Sequence, residues 1–446
     1  MQVPFFRPEL DDAEIAEVVE TLRSGWLTTG PKTQRFETAF ANAVGARHAV
    51  ALASCTAGLH LSTLGLGLRA GQAVLVPTMT FAATAEVIRY AGAVPILVDC
   101  TPTTLQMDLR DAERKIADAR AGRLPIDLPR DAEIVGMLPV HVGGRVLSFD
   151  AVAEFARRHR LWRIEDAAHA FPAAWRPHAE APWRRCGEDS AEATCFSFYA
   201  NKTITTGEGG MVTTADEELA ERMRSLSLHG LSKDAWGRYT AKGAWDYRIV
   251  APGYKYNLTD IASALGLHQL AKAEALRRRR EEIAERFRRE LADVEEIELP
   301  PTADGADDPA LAEPLRDDPE AASQDAVPPT AAERIHAWHL FQIRLRADSL
   351  AIDRDRFLEE LRAHGVGFSV HWRPLHLHPY WSEAFGWRPQ DLPVATDVWR
   401  QTVTLPLFPA MREEEIEHVI ATVRELCRRN ARPTAGRAIA SARSEA

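Results

Sequence analysis

Short β-branched runs alternate with amphipathic stretches between about residues 50 and 214. Such alternation is typical of a mainly parallel sheet whose strands are buried and whose helices cover both faces. The predicted strands are residues 73–76, 95–99, 134–140, 162–166, 194–198 and 210–214. The predicted helices include residues 57–66, 82–91, 151–159 and 216–225. The pattern therefore predicts an α/β fold.

A different pattern follows in the C-terminal part of the chain. Residues 257–291 are predicted to form one or two long helices, and the arginine run 277–280, mixed with glutamates, is expected to be a solvated face with ion pairs. Further strands are predicted at 341–345, 369–371 and 402–405, and helices at 354–363 and 413–427. We therefore predict a large α/β domain over residues 1–250 and a smaller α+β domain over 251–430.

Two segments have a composition that is unfavourable for folding. Residues 300–330 are rich in Pro, Ala and Asp, so they are predicted to be a disordered insertion in the small domain. Residues 431–446, rich in Arg, Ala and Ser, are predicted to be a disordered tail.

Charge and composition narrow the possible functions. The 446 residues include 54 Lys and Arg against 64 Asp and Glu, and the net charge of −10 disfavours binding to nucleic acid. No apolar run approaches the roughly 20 residues that span a bilayer, so no membrane association is expected. The five cysteines have no paired spacing and the N-terminus lacks the features of a secretion signal, so the expected location is the cytoplasm.

Two candidate catalytic residues follow predicted strands. Asp166 stands at the end of one strand and Lys202 lies just after another, and ligands bind at the carboxyl ends of strands in such sheets. A pyridoxal phosphate site requires both groups, because the lysine forms a Schiff base and the carboxylate keeps the pyridine nitrogen protonated. Isolated residues of these types are more often helix caps or solvated side chains. Further parts of the same site would favour the catalytic interpretation.

Candidates for the phosphate contacts and the ring contact of such a site are present elsewhere in the sequence. Residues 53–60 place small residues and a hydroxyl at a helix start, where free N–H groups and the helix dipole would hold a phosphate. Ser197 is placed to add a hydroxyl contact, and Phe81 to offer an aromatic face to the pyridine ring.

The chain also resembles a known family in motifs spread along most of its length. They read SGWLTTGP at 24–31, EDAAH at 165–169, FSF at 196–198, NK at 201–202, GEGG at 207–210, PGYKYNLTD at 252–260, HAWHLF at 336–341 and LPLFP at 405–409. On these motifs the chain resembles the DegT–DnrJ–StrS type sugar aminotransferases, of pyridoxal-phosphate fold type I. It is most similar to the branch that aminates C4 of a nucleotide-linked 4-keto sugar, such as the UDP-4-amino-4-deoxyarabinose and perosamine aminotransferases.

The resemblance implies a role for each matching residue of the cofactor site. Lys202 would form the Schiff base, Asp166 would pair with the pyridine nitrogen, and His169 would lie near the phenolic oxygen. The remaining residues would contact the phosphate or the ring: Thr56, Ala57 and Ser197 the phosphate, Phe81 the ring, and Asn257 the phosphate of the neighbouring subunit. The resemblance thus implies a homodimer with shared active sites.

The resemblance also suggests a set of residues for the sugar-nucleotide pocket, namely Trp26, Thr28, Thr29, Tyr254, Lys255, His371 and His376. The histidines of this stretch, which include His378, could instead suggest a metal site. No Cys or carboxylate lies at ligand spacing, and the prolines at 374 and 379 make the stretch stiff, so no metal is expected.

The predicted function is a transamination in which L-glutamate is the amino donor and a nucleotide-linked keto sugar is the acceptor. A sugar 3-dehydratase of the same fold is disfavoured, because it has histidine where this chain has Lys202. Two alternatives stay open: an aminotransferase for a cyclitol or another non-nucleotide ketone, and a catalytically silent relative that binds pyridoxal phosphate and regulates another process.

Overall fold

The computed structural model describes residues 1–129, 132–232, 248–301 and 332–433. The strands, numbered in chain order, are β1 His48–Leu52, β2 Ala73–Pro77, β3 Val94–Val98, β4 Ile134–Met137, β5 Trp162–Asp166, β6 Ala174–Arg176, β7 Arg184–Arg185, β8 Ala193–Ser197, β9 Gly210–Thr214, β10 Ile297–Glu298, β11 Glu333–Ile335, β12 Phe341–Leu345 and β13 Thr402–Leu405. The α-helices are α1 Asp12–Ser24, α2 Pro31–Val44, α3 Cys55–Gly65, α4 Ala82–Tyr90, α5 Leu109–Arg120, α6 Phe149–His159, α7 Glu217–Ser227, α8 Asp260–Ala271, α9 Ala273–Leu291, α10 Arg354–Ala363, α11 Pro379–Phe385, α12 Pro393–Gln401 and α13 Glu413–Asn430. None of the helices in these ranges combines the length and the apolar character that crossing a membrane requires.

A seven-stranded sheet lies at the centre of the N-terminal part, in the order β1-β9-β8-β5-β4-β2-β3. Neighbouring strands from β8 to β3 are parallel, whereas β9 is antiparallel to both β8 and β1. Val74, Leu75 and Val76 are all fully buried, because helices cover both faces of the sheet. The predicted α/β fold with a mainly parallel sheet is confirmed. Two smaller three-stranded sheets, β10-β12-β13 and β11-β6-β7, accompany it.

Some elements differ from the prediction. Strand β1 was not predicted; its two alanines weaken the strand pattern, and it is defined by pairing with β9. Strand β4 ends at Met137, before the predicted end at residue 140, and the Pro139 carbonyl accepts a hydrogen bond from the Asp166 N–H at 2.9 Å. The strand predicted at 369–371 forms only an isolated bridge between Ser369 and Thr404.

One face of the central sheet is packed by an aromatic cluster. Phe40 of α2 lies at its centre, with ring centroids 4.8 Å from Phe171, 5.0 Å from Phe196 and 5.5 Å from Phe198. Phe196 and Phe198 flank the carboxyl end of β8, immediately before the predicted cofactor lysine. Packing at Phe40 therefore supports the strand end on which the candidate site depends.

A second core fills the C-terminal part and includes residues from helices α9, α10 and α13 and strands β12 and β13. Val3 belongs to this core, since its N–H donates to the Gly365 carbonyl and its carbonyl accepts from Gly367, both at 2.8 Å. Helix α8, in contrast, packs on α1 and α2. The contacts of Val3 and α8 therefore cross residue 250, where we predicted the domain boundary. The division into two domains at that residue stays a prediction.

The arginine run of α9 is only partly the solvated face that we predicted. Arg278 and Arg279 form exposed ion pairs with glutamates of the same helix. Although Arg277 does form the predicted ion pairs, with Glu274 and Glu281, Arg277 and Arg280 are only 6% and 3% exposed, so the predicted solvation is wrong for these two. Residues three apart share a helix face, and this pair lies on the buried one. Arg280 donates to the Leu407 carbonyl at 2.7 Å.

The two segments predicted to be disordered lie largely outside the described residues. Of the predicted insertion, residues 302–330 cannot be compared with the structure for this reason, and neither can residues 434–446 of the predicted tail. The beginning of the tail is corrected: Ala431 forms a bridge with Leu350, and the Arg432 N–H donates to the Ser349 carbonyl at 2.8 Å. These backbone contacts hold the chain in place beyond the end of α13.

Replacing Phe40 by alanine should lower the free energy of unfolding by about 3–5 kcal/mol, because the substitution leaves a cavity in a closely packed core. Denaturant titration of the cofactor-free protein measures this loss. Phe81→Ala is the matched control, since that ring is 63% exposed and should contribute little to stability. Equal losses in the two variants would contradict the central role of Phe40.

Candidate active site

The carboxyl ends of β5 and β8 open into a cleft of about 490 Å³. Asp166 ends β5, Ser197 ends β8, and the turn that follows β8 carries Lys202. The structure brings together seven of the predicted residues as lining of this cleft, namely Thr56, Phe81, Asp166, His169, Ser197, Lys202 and His371. Residues far apart in the chain thus meet where parallel strands end.

Asp166 is a buried carboxylate with a hydrogen-bond donor on each oxygen. Its Oδ2 accepts from the Thr84 hydroxyl at 2.7 Å, and its Oδ1 accepts from the Ala168 N–H at 3.1 Å. Burial raises the pKa of the Asp166 carboxyl, whereas the bonds from Thr84 and Ala168 and the charge of Lys202 lower it. These donors counteract the cost of burying the ionised form.

Lys202 lies close enough to Asp166 for the two charges to interact. Burial lowers the pKa of Lys202 to about 8, and Arg280 acts in the same direction, while Asp166 and Cys55 oppose the shift. A larger fraction of the amine is therefore neutral near pH 8 than in an ordinary lysine. A neutral amine is the form that reacts with a carbonyl carbon and accepts a proton.

His169 is held neutral beside the lysine. Burial, together with the charges of Lys202 and His371, lowers the pKa of its ring well below the usual range. Its Nδ1 accepts the Gly143 N–H at 3.3 Å, so the ring proton is assigned to Nε2. The indole of Trp372 stacks on the ring, with centroids 5.0 Å apart and an interplanar angle of 15°. His169 can thus act as a fixed hydrogen-bond donor.

The first turn of α3 forms one end of the cleft. Thr56 lines the cleft there, and the first N–H groups of a helix lack intrahelical partners. Ala57 does not line the cleft, and its N–H donates to the Ser54 hydroxyl at 3.0 Å. A Cβ on Gly210 would lie 2.5 Å from the Cys55 nitrogen, so glycine at this position lets α3 begin directly against β9.

Phe81 and Ser197 also occupy the places expected of cofactor contacts. Phe81 is the N-cap residue of α4, and its ring is exposed and lines the cleft. The Ser197 hydroxyl accepts the Tyr199 N–H at 3.3 Å, which leaves its own proton available to a ligand.

Several predicted residues lie together outside the cleft of their own chain. Asn257 donates to the Thr29 hydroxyl at 2.7 Å, and Lys255 contacts the Asn257 side chain. The Trp26 indole N–H donates to the Thr29 carbonyl at 3.2 Å, and the Thr28 carbonyl accepts the Asp260 N–H at 3.2 Å. We call this connected surface group, formed by Trp26, Thr28, Thr29, Lys255 and Asn257, the Asn257 cluster. Tyr254 also lies outside the cleft and stacks on Tyr256.

The histidines of the stretch 371–378 have separate environments. His371 lines the cleft, its Nδ1 lies 3.0 Å from the Thr404 hydroxyl, and burial lowers its pKa to about 3. The two ring nitrogens of His376 lie 2.8 Å from the hydroxyls of Thr78 and Thr396. His376 therefore connects two segments inside the protein and is not brought to the predicted substrate pocket.

Three residues that contact Asp166 or His169 were not predicted from the sequence. Thr84 bonds to Asp166, Trp372 stacks on His169, and Cys55 has its Sγ 4.0 Å from Asp166 Oδ1. Only the position of Trp372 next to His371 could have suggested a role, because Thr84 and Cys55 are unremarkable helix residues in the sequence.

Comparison with known proteins identifies the family. Residues 8–424 match the DegT/DnrJ/EryC1/StrS aminotransferase family. The chain belongs to this family. Like the other members of the DegT/DnrJ/EryC1/StrS family, it is a pyridoxal-phosphate-dependent transaminase of fold type I.

Relatives of similar length match nearly the whole chain. MJ1066 of Methanocaldococcus jannaschii is 38% identical over 429 residues, which cover 96% of this chain and 98% of MJ1066. SpsC, a spore coat polysaccharide biosynthesis protein of Bacillus subtilis, is 38% identical over 425 residues, covering 95% and 97%. The pyridoxal phosphate form of Spr1654 of Streptococcus pneumoniae, a candidate sugar aminotransferase, superposes with a TM-score of 0.78 at 29% identity, covering 96% and 99%.

The residues of the cleft fit pyridoxal phosphate, the cofactor of the family. The start of α3 with Thr56, together with the Ser197 hydroxyl, offers donors for a phosphate. The buried Asp166 carboxylate suits the pyridine nitrogen, and the Lys202 amine suits the aldehyde carbon. The close approach of α3 to Gly210 holds these groups in one compact arrangement.

The rate at which cofactor-free protein binds pyridoxal phosphate covalently should rise with pH through about 8. Lys202 has its pKa lowered to about 8 from 10.5, so its reactive neutral form is gained as pH rises through that value. The absorbance change on mixing measures the rate, and the Lys202→Arg variant corrects for reaction at other lysines. A rise centred near 10.5, the ordinary lysine value, would contradict the shift.

Proposed function

We propose that this protein transfers the amino group of L-glutamate to a nucleotide-linked keto sugar, with a 4-keto group as the acceptor. The observation that carries the proposal is the meeting of Lys202, Asp166 and His169 in one cleft of about 490 Å³. Bound pyridoxal phosphate supplies the electron sink that lets an amino group pass between two carbon skeletons. The two half-reactions use the same protein groups.

Lys202 is the proposed proton carrier of both half-reactions. Its pKa, lowered to about 8 by burial, keeps part of the amine neutral and part protonated near neutral pH. The Nζ atom can then accept a proton from one carbon and deliver it to another, which is general acid–base catalysis by a single group.

The other cleft residues keep the reacting groups in place. Asp166, fixed by two hydrogen bonds, is proposed to hold a proton on the pyridine nitrogen. His169, whose neutral ring presents Nε2–H, is proposed to donate to the phenolic oxygen. Phe81, Thr56 and Ser197 line the same cleft. Phe81 is proposed to cover one face of the pyridine ring, and Thr56 and Ser197 are proposed to hold the phosphate. None of these groups has to move between the half-reactions.

A sugar acceptor is supported by the relatives and by the wall of the cleft. SpsC is named for polysaccharide biosynthesis, and Spr1654 for sugar aminotransfer. His371, Trp372 and Tyr199 line the cleft beside the lysine, so the wall combines aromatic faces with polar groups. Such a surface suits a sugar, which presents both C–H faces and hydroxyls.

We propose that the active site is completed in a homodimer. The Asn257 cluster presents polar and aromatic groups outside the cleft of its own chain. In a twofold dimer the same surface of each subunit can face the cleft of the other. The cluster would then supply Asn257 to the phosphate and Trp26, Thr28, Thr29 and Lys255 to the sugar nucleotide of the partner's site.

The donor and the acceptor can be tested in separate steps. L-glutamate should convert the bound cofactor from its aldehyde to its amine form with release of 2-oxoglutarate, and a nucleotide-linked 4-keto sugar should reverse the absorbance change. Lys202→Ala should lower both rates by about a thousandfold or more, because the proton carrier is lost. Alanine and aspartate are the comparison donors, and a keto cyclitol is the comparison acceptor. Preferred turnover of the cyclitol would refute the sugar-nucleotide proposal.

Shared active sites predict complementation between two inactive variants. Mixing Lys202→Ala with Asn257→Ala protein after reversible dissociation should restore up to about a quarter of the wild-type sites, because hybrid dimers contain one intact site. Light scattering should show a dimer in each sample. Activity no higher than the sum of the separate variants, in a sample that contains hybrid dimers, would mean that each chain builds its own site.

A further inference from the structure

The segment from Thr80 to Thr84 presents its side chains in two directions. The ring of Phe81 is exposed at the cleft, with 63% of its surface accessible. The side chains of Thr80 and Thr84 are buried, at 1% and 0% exposure; Thr80 borders the cleft, and Thr84 lies behind it and contacts Asp166. One turn of chain therefore contributes both to the cleft surface and to the environment of the buried carboxylate.

Two hydroxyls form a directed hydrogen-bond chain that ends on Asp166. The Thr84 hydroxyl lies 2.7 Å from Asp166 Oδ2, and an ionised carboxylate can only accept, so Thr84 donates. The Thr80 and Thr84 hydroxyls lie 2.8 Å apart, and because the Thr84 proton is already used, Thr80 donates to Thr84. Consecutive donors of this kind strengthen one another in a low-dielectric interior.

We propose that Thr84, supported by Thr80, is a positioning residue that keeps the Asp166 carboxylate ionised and oriented for the pyridine nitrogen of the cofactor. Thr84 acts through Asp166 and needs no contact with substrate. The proposal does not depend on which donor or acceptor the enzyme uses.

The charge balance around Asp166 explains why a donor is needed there. The groups that interact electrostatically with the carboxylate are Lys202, His141, Cys55 and Cys195. The charges of Lys202 and His141 favour the ionised carboxylate, whereas a thiolate at either cysteine would disfavour it. Burial alone raises the pKa of Asp166, and the Thr84 bond is the largest of the effects that lower it.

Removal of the Thr84 hydroxyl should therefore raise the pKa of Asp166. Cofactor binding needs the ionised Asp166 carboxylate, so affinity is lost as pH falls through the pKa of Asp166. Because that pKa is higher without the Thr84 hydroxyl, the loss should begin at higher pH in the variant. Asp166 Oδ2 would also lose its donor, and the less well oriented carboxylate should bind the cofactor more weakly at neutral pH.

The test uses pyridoxamine phosphate, which has no aldehyde and binds without a bond to Lys202. Its dissociation constant is measured by equilibrium dialysis as a function of pH for Thr84→Val, Thr84→Ser and Thr80→Val. We expect Thr84→Val to bind about tenfold more weakly at neutral pH, with its acidic midpoint about one unit higher. Thr84→Ser, which keeps the hydroxyl, should behave like the wild type, and Thr80→Val should shift the midpoint in the same direction by less.

Two controls separate positioning from general destabilisation. Thr402→Val removes another buried hydroxyl, which donates to the Val398 carbonyl at 2.7 Å away from Asp166, and should leave the pH profile unchanged. In an Asp166→Asn background the Thr84→Val change should have no further effect on the midpoint. An unshifted midpoint in Thr84→Val, or an equal shift in the Asp166→Asn background, would overturn the proposal. Absence of sugar-nucleotide turnover by the wild-type enzyme would count against the proposed acceptor, and it would not affect the comparison of the pyridoxamine phosphate profiles.

Discussion

The burial of one carboxylate beside one amine is the constraint on which the site depends. Taking Asp166 and Lys202 out of water is costly, and the cost is tolerable only where hydrogen bonds and the opposite charge compensate it. The sheet and its connections provide those partners. Asp166 ends β5, the turn after β5 supplies the Ala168 N–H, α4 supplies Thr84, and the turn after β8 supplies Lys202. The same burial lowers the pKa of the amine, so the energetic cost and the reactivity have one cause.

The layers around the sheet hold this charge pair in place. Phe40 packs against the residues that flank the end of β8, and Gly210 lets α3 start directly against β9. His376 connects Thr78, at the end of β2, to Thr396 on α12, so a segment of the C-terminal part is fixed at the edge of the cleft. The cleft is therefore lined by residues from both parts of the chain.

The sequence was most informative where local chemistry decides the structure. Trp162–Asp166 and Gly210–Thr214 form the strands predicted for them, the first ending at the acidic pair and the second followed by the capping residue Asp216. Asp166 and Lys202 were predicted for the same reason, because each stands at or just after the end of a recognisable strand, whereas His169 was predicted from the family resemblance alone. Thr84 and the buried Arg280 could not be predicted, since their partners lie far away in sequence and are brought near only by packing.

The place of Val3 in the C-terminal core has a consequence for synthesis of the chain. Val3 is made long before its backbone partners, Gly365 and Gly367, because these lie far behind it in the chain. Regions made early in translation tend to fold first, and the central sheet can follow this order. The segment around Val3 cannot, and it must remain unpaired while the sheet assembles. The second core can close around Val3 only after Gly365 and Gly367 have been made, so a chain terminated before them would leave Val3 without its backbone partners.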